Sequence, residues 1–235
     1  MQKTIAYAGI QLLAEHGIQF HSSEHLAWGV LAEETEVEGL RCAAGEEIEF
    51  HPDGRLAAAS LALAATVHGL PARGHCPIAF YPNGNVRFLS LAKPRRIAGF
   101  PAGMGNTFFH PDGQVWNGVC FAEIQTSGAS LPAGTRLTLA SDGSVLEWWR
   151  SLEVDTEIQG LPCSARFPVW FYAGGQLSCL HLARSCRVDG RRLAAETEVV
   201  LEPDGSLRAS TPRRYPRVGS MPWRIFGAIE EPLYD

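Results

Sequence analysis

The chain has 235 residues, of which 46% are hydrophobic and 19% charged, with a formal net charge of −5 and a pI near 5.9. This balance argues against a disordered chain and gives no overall pull toward nucleic acid or an anionic membrane. No apolar run approaches the roughly 18–20 residues needed to span a bilayer as a helix.

The first stretch, MQKTIAYAGIQLLAEHGIQF, has one lysine and a modest apolar segment interrupted by Glu15 and His16. No small-residue cleavage site follows cleanly, so it does not read as a signal peptide, and the expected compartment is the cytoplasm. Residues 4–15 hold the only stretch with a helical period and read as a short N-terminal helix or a capping segment, so residues 1–16 are expected to be an N-terminal cap.

From residue 17 a unit of about 30 residues recurs, which is the first thing to seek in any sequence. Its anchor is a turn glycine: FHPDG ends at Gly54, FYPNG at Gly84, FHPDG at Gly113, ASDG at Gly143, YAGG at Gly175 and EPDG at Gly205. The successive steps are 30, 29, 30, 32 and 30 residues. One unit earlier, FHSSEHL aligns with FHPDGRL and puts Glu24 in the glycine's place, making seven units.

The columns beside the anchor agree. Four residues before it stand Phe20, Phe50, Phe80, Phe109, Leu139, Phe171 and Leu201; two after it stand Leu26, Leu56, Val86, Val115, Val145, Leu177 and Leu207. Apolar residues alternating with polar ones mark a strand with one buried face. Pro-Asp-Gly and Pro-Asn-Gly predict a type I turn closed by a glycine bulge, hence an antiparallel hairpin. A short third strand is expected around a recurring V/I-x-G, seen at Val37-Gly39, Val67-Gly69, Ile97-Gly99, Ile158-Gly160 and Val188-Gly190. Its glycine would allow a bend or a close approach.

One such unit is too small to bury its own apolar face, but stacked units share a core. The expected fold is all-β: a tandem array of seven hairpin-plus-strand repeats over residues 17–210, forming a meandering twisted sheet. A β-solenoid is the alternative. A seven-bladed propeller would need longer blades.

The hairpin core, aromatic-x-x-(Asp/Asn)-Gly-x-Leu, as in FYPNGNV at 80–86 and FYAGGQL at 171–177, resembles MORN-type repeats and the bacterial MORN-like multi-repeat proteins. The resemblance covers about residues 17–210. It implies a scaffold with a protein- or lipid-binding role, and some bacterial relatives are labelled antitoxins. This chain departs from the family in its longer unit, its added V/I-x-G and its lack of Gly-x-(Trp/Tyr) after the turn.

The repeat also filters chemical motifs. His21, His51 and His110 share one column, three residues before the anchor, with Tyr81 and Tyr172. In a hairpin array, column neighbours lie about 10 Å or more apart from the 4.8 Å strand spacing, too far to share a zinc. His21 and His25 read as a decayed turn rather than a helical metal pair. Ser90-Leu-Ala-Lys93 matches S-x-x-K but lacks companion motifs. The turn residues Asp53, Asp112, Asp142 and Asp204 suit turn chemistry better than calcium binding. Cys42, Cys76, Cys120, Cys163, Cys179 and Cys186 form no CxxC pair and read as buried free thiols. No catalytic residue, cofactor or metal is predicted.

Two regions escape the filter. The fifth unit is two residues longer than most and brings Trp148, Trp149 and Trp170, with Trp116 just after the preceding turn. Adjacent Trp148 and Trp149 must face opposite sides of a strand, so either one ring is outside the core or both pack under loops. Exposed aromatics would anchor a partner. Residues 211–235 leave the register and combine Arg213, Arg214, Arg217 and Arg224 with Tyr215, Trp223 and Phe226. They read as a capping segment or a partner-binding tail. The expected function is a non-enzymatic protein-binding or structural module with an unknown protein partner. The alternative is a small-ligand protein or enzyme with its site in the fifth unit or the C-terminal segment.

Overall fold

The computed structural model describes residues 3–126 and 130–211. Seven long hairpins form one antiparallel meander. Their strands are Gln19–Phe20 with Leu26–Val30, Glu47–Phe50 with Leu56–Ser60, Pro77–Phe80 with Val86–Leu91, and Gly105–Phe109 with Val115–Val119. Arg136–Leu139 with Val145–Arg150, Val169–Tyr172 with Leu177–His181, and Glu198–Leu201 with Leu207–Thr211 complete it. Each hairpin pairs with the next, and the ends do not meet, so the sheet is not closed into a barrel. The third short hairpin joins through Ala72 opposite Leu91, bringing the sheet to 16 strands.

The turns follow the predicted chemistry. In the second unit His51 N donates to Arg55 O at 2.8 Å and Gly54 N to His51 O at 2.9 Å. The register shifts by one residue between Glu49 and Phe50, which is the glycine bulge. Asp53 Oδ1 accepts from Arg55 N at 3.1 Å, and Asp112, Asp142 and Asp204 do the same in their own turns. Glu24 takes the glycine's place at φ 63°, so the first turn keeps its shape at some strain.

The V/I-x-G segment differs from expectation. It is not a single bent strand but a second, shorter hairpin in every unit. Thr35–Val37 pairs with Leu40–Cys42, and the same arrangement recurs at Ala65–Val67 with Leu70–Ala72 and Arg95–Ile97 with Phe100–Ala102. It returns at Thr156–Ile158 with Leu161–Cys163 and Cys186–Val188 with Arg191–Leu193. Glu38 and Gly39 have φ of 50° and 77°. Two successive positive φ values make a type I′ turn, whose twist matches a two-residue hairpin. Alternation alone could not separate one strand from two strands of three residues.

Residues 4–15 are also not a helix. Thr4–Tyr7 pairs with Ile10–Leu13 around Ala8-Gly9, followed by one 3-10 turn at Ala14–His16. Tyr7-Ala8-Gly9 is the repeat's own type I′ turn, so a short hairpin precedes the first long one. The fifth short hairpin, Ile124–Gln125 with Ser130–Leu131, has a longer connection.

The short hairpins lie against one face of the sheet and close a single core from Ile10 to Leu201. Val37 and Cys42 of a short hairpin join Ile48, Phe50 and Leu56 of the following long one. Fully burying an Ile or Leu such as Ile48 or Leu61 contributes about 1.5–3 kcal/mol. The layers are also stitched by backbone bonds: Ala43 N donates to Ser60 O, Arg73 N to Ser90 O, Gly103 N to Val119 O and Ser164 N to His181 O. Glu38 Oε1 and Gln159 Oε1, at the short turns, accept from Leu56 N and Leu177 N of the long hairpins.

Candidate functional site

The histidine column staples the array. His21 Nε2 lies 2.8 Å from Phe50 O, His51 Nε2 3.2 Å from Phe80 O, and His110 Nε2 2.9 Å from Leu139 O. Tyr81 and Tyr172 hydroxyls donate to Phe109 O and Leu201 O, both at 2.7 Å. Each side chain reaches the carbonyl of the next unit that its own backbone cannot reach. Hydroxyl and imidazole N–H have the length and polarity for this, which explains why the column accepts His or Tyr.

The fifth unit breaks that order in three ways. Ala140 occupies the staple column and has no donor. Pro132 stands where Ala43, Arg73, Gly103 and Ser164 stitch the two layers, and proline has no N–H. The pairing also slips. Elsewhere the residue four after the anchor faces the residue five before the next one, as in Trp28 with Glu49, Phe88 with Phe108 and Asn117 with Thr138. Between the fifth and sixth units Glu147 faces Tyr172 instead, two residues along. An even slip keeps every side chain on its own face, so the two extra residues of this step leave the core intact.

The face turned away from the short hairpins carries a row of aromatic and polar residues. Phe88, Phe108, Asn117, Thr138 and Glu147 oppose one another from strand to strand, and beside them run Arg136, Trp149, Trp170 and Cys179. Trp149 and Trp170 ring centres are 5.3 Å apart, and Phe88 and Phe108 are 4.7 Å apart. Trp116 meets Phe108 edge-on at 5.9 Å. Trp116, Trp149, Trp170 and Phe108 are half-buried, leaving ring surface open.

Trp148 belongs elsewhere. It is buried and stacks on Phe171 with centres 3.9 Å apart and planes at 8°. The adjacent tryptophans therefore do point to opposite faces. Of the predicted anchors, Trp116, Trp149 and Trp170 share the outer face and Trp148 is core. Arg213, Arg214, Tyr215 and Trp223 lie outside the described residues.

Arg136 ties the face together. Its Nη1 donates to Asn117 Oδ1 at 2.7 Å, its guanidinium sits 5.6 Å from the Trp149 ring centre, and Asn117 Nδ2 donates to Thr138 Oγ1 at 3.0 Å. Burial pulls the Arg136 guanidinium below its usual value and pushes the Glu147 carboxyl up, the Ser178 hydroxyl partly offsetting the latter. Burial likewise raises Glu49, reinforced by Glu47 and opposed by Arg87 and His51. These charges are thus partly desolvated on a face that no short hairpin covers. Phe88, Phe108, Asn117 and Arg136 carry no motif that marks them in sequence. Their signal was parity: they fall on the strand positions alternate to the apolar columns.

A second feature is a cleft of about 270 Å³ between the fourth short hairpin and the fifth unit, lined by Ile97, Phe100, Val115, Ile124, Leu139 and Asp142 among others. Its walls mix polar and apolar surface in nearly equal measure, and Asp142 is occupied by its own turn, where Ser144 holds its carboxyl below the usual range. Among the described residues, no group of three or more His, Cys, Asp or Glu is arranged to hold a metal. No helix among the described residues is long and apolar enough to cross a membrane. Compared with known protein families and with curated proteins, the chain matches none.

Proposed function

We propose that this chain is a non-catalytic repeat scaffold that binds a protein partner on the outer face of its third to sixth long hairpins. The observation that carries the reading is the half-exposed run Phe108, Trp116, Trp149 and Trp170, with the Arg136 guanidinium over the Trp149 ring. Tryptophan and arginine are the side chains that most often dominate protein interfaces, because they bury large rigid area and keep a polar handle. Support also comes from what the other candidate groups do: the histidines staple units and the turn aspartates close turns. The net charge of −5 favours a protein over a nucleic acid. A scaffold role is what the MORN-type resemblance implies, and that affiliation is part of the proposal. Six cysteines without a disulfide support a cytoplasmic setting.

Affinity capture with the wild-type chain and with a Trp149→Ala/Trp170→Ala variant tests the reading. The captured partner should be lost with the variant while its far-UV circular dichroism stays unchanged. Equal capture by both would remove the outer face from the function. The cleft at the fifth unit supports a second reading, a site for a small ligand: a fluorescent probe should bind the wild-type chain, and Leu139→Trp, which fills the cleft, should weaken that binding.

A further inference from the structure

Among the described arginines only Arg87 and Arg136 are half-buried, the others being exposed. Arg87 lies close enough to Glu49 for its charge to lower that carboxyl, and it sits 5.9 Å from the Tyr81 ring centre. Arg41, Arg55, Arg166, Arg184 and Arg208, all exposed, each pair with an Asp or Glu. Arg136 forms no ion pair among the described residues, and burial alone acts on its guanidinium. Glu147, the acid on the next strand, faces Thr138 rather than Arg136. A desolvated charge is ordinarily paired, and this one lacks its counter-charge.

The guanidinium is also only half used. Nη1 donates to Asn117 Oδ1 at 2.7 Å and reaches Asn106 O at 3.5 Å, while Nε and Nη2 make no hydrogen bond among the described residues. Nε–H and one Nη2–H are parallel donors on one edge, a fork that matches both oxygens of a carboxylate. In the order of the sheet, Arg136–Leu139 lies two strands from Gly105–Phe109 and two from Val169–Tyr172. Phe108 and Trp170 therefore flank Arg136 on either side, each about 10 Å across the sheet from the 4.8 Å strand spacing.

We propose that the partner sets an aspartate or glutamate side chain on the free edge of Arg136, with apolar side chains on both sides of it to meet Phe108 and Trp170. This rests on the outer face being the partner's docking surface and names the chemistry that the face selects. The carboxylate belongs to a side chain rather than a chain end, because Arg136 stands in the middle of the row and a segment lying along the row continues past it.

Panning short random peptides displayed on phage against the full chain tests this. Enriched peptides should share an Asp or Glu between apolar residues, and should bind Arg136→Gln roughly tenfold or more weakly than the wild type. Arg136→Lys, which keeps the charge without the fork, should recover part of the loss. Should Arg136→Gln fail to fold, changing the peptide's acid to its amide and binding it to the wild-type chain should give the same loss. Peptides that need Trp149 and Trp170 but carry no acid, or that bind Arg136→Gln as well as the wild type, would overturn the carboxylate and leave the outer face standing. Enrichment that survives Trp149→Ala/Trp170→Ala, or no enrichment at all, would overturn the outer-face reading itself. The triple variant Glu230→Gln, Glu231→Gln and Asp235→Asn should bind the peptides as the wild type does. Tighter binding by that variant would overturn the proposal, because the chain would then supply the carboxylate from its own residues.

Discussion

Replacing Trp148 separates the core from the working face most sharply, because its neighbour Trp149 is the internal control. Trp148 is 8% exposed and lies flat on Phe171, so Trp148→Ala removes a buried aromatic and leaves a cavity. Such truncations cost about 3–5 kcal/mol, and the lost ring pair adds about 0.5–1.5 kcal/mol. Trp148 Nε1 is buried with no hydrogen-bond partner among the described residues, and an unsatisfied buried donor costs about 1–3 kcal/mol. Trp148→Phe keeps the stack and removes that donor. It should therefore cost much less than Trp148→Ala, because smaller volume and relieved desolvation oppose each other. Trp149→Ala gives up the Arg136 contact and the Trp170 pair on a half-open surface, each worth about 0.5–1 kcal/mol at such a site. Urea unfolding followed by far-UV circular dichroism would rank the three. The expected order of loss is Trp148→Ala, then Trp149→Ala and Trp148→Phe close together. A Trp149→Ala loss as large as that of Trp148→Ala would refute the assignment of faces.

Other expectations follow from single contacts. Tyr172→Phe removes the donor to Leu201 O and should lower stability by about 0.5–1.5 kcal/mol in urea unfolding, whereas no change would deny the staple. Glu24→Gly places glycine at φ 63° and should stabilise the first hairpin by about 1 kcal/mol, read as slower amide exchange in residues 19–30. Burial raises the Glu147 carboxyl in the folded state, so folding disfavours its charged form; that penalty is present at neutral pH and vanishes below the unfolded value of about 4.3. Glu147→Gln should thus raise the urea midpoint at pH 7, with the gain closing as pH falls through the carboxylate range; a gain that widens in acid would reverse the sign. Burial pushes the Cys42 and Cys163 thiols up to about 11, so mass spectrometry should find alkylation of the native chain at pH 8 reaching Cys76 well before either.

The long hairpins were legible because their turns are written in residues with few alternatives: Pro presets one φ, Asp closes the turn through its own side chain, and Gly takes the positive φ. The alternation of Ile48 and Phe50, or Leu137 and Leu139, then gave the buried face. The short hairpins were half legible. Val37-Glu38-Gly39 marks a close turn, but strands of three residues hold too little alternation to show a second arm, and the apolar run from Ile5 to Leu13 imitates a helical stripe. The outer face was the least legible part. Trp149 and Trp170 stand out by size, while Phe88, Phe108 and Arg136 join the face only through cross-strand pairing. The slip between the fifth and sixth units is visible in sequence as two extra residues. Its register is set by pairing, and Ala140 withholds the staple that links successive long hairpins at this column elsewhere.

The central claim is that the outer aromatic face, and not the core tryptophan or the histidine column, meets the partner. Hydroxyl-radical footprinting with mass spectrometry, on the free chain and on its captured complex, tests this directly. Trp149 and Trp170 should be oxidised in the free chain and protected in the complex, with Trp148 protected in both. Unchanged oxidation of Trp149 and Trp170 in the complex, with protection appearing elsewhere, would contradict the account.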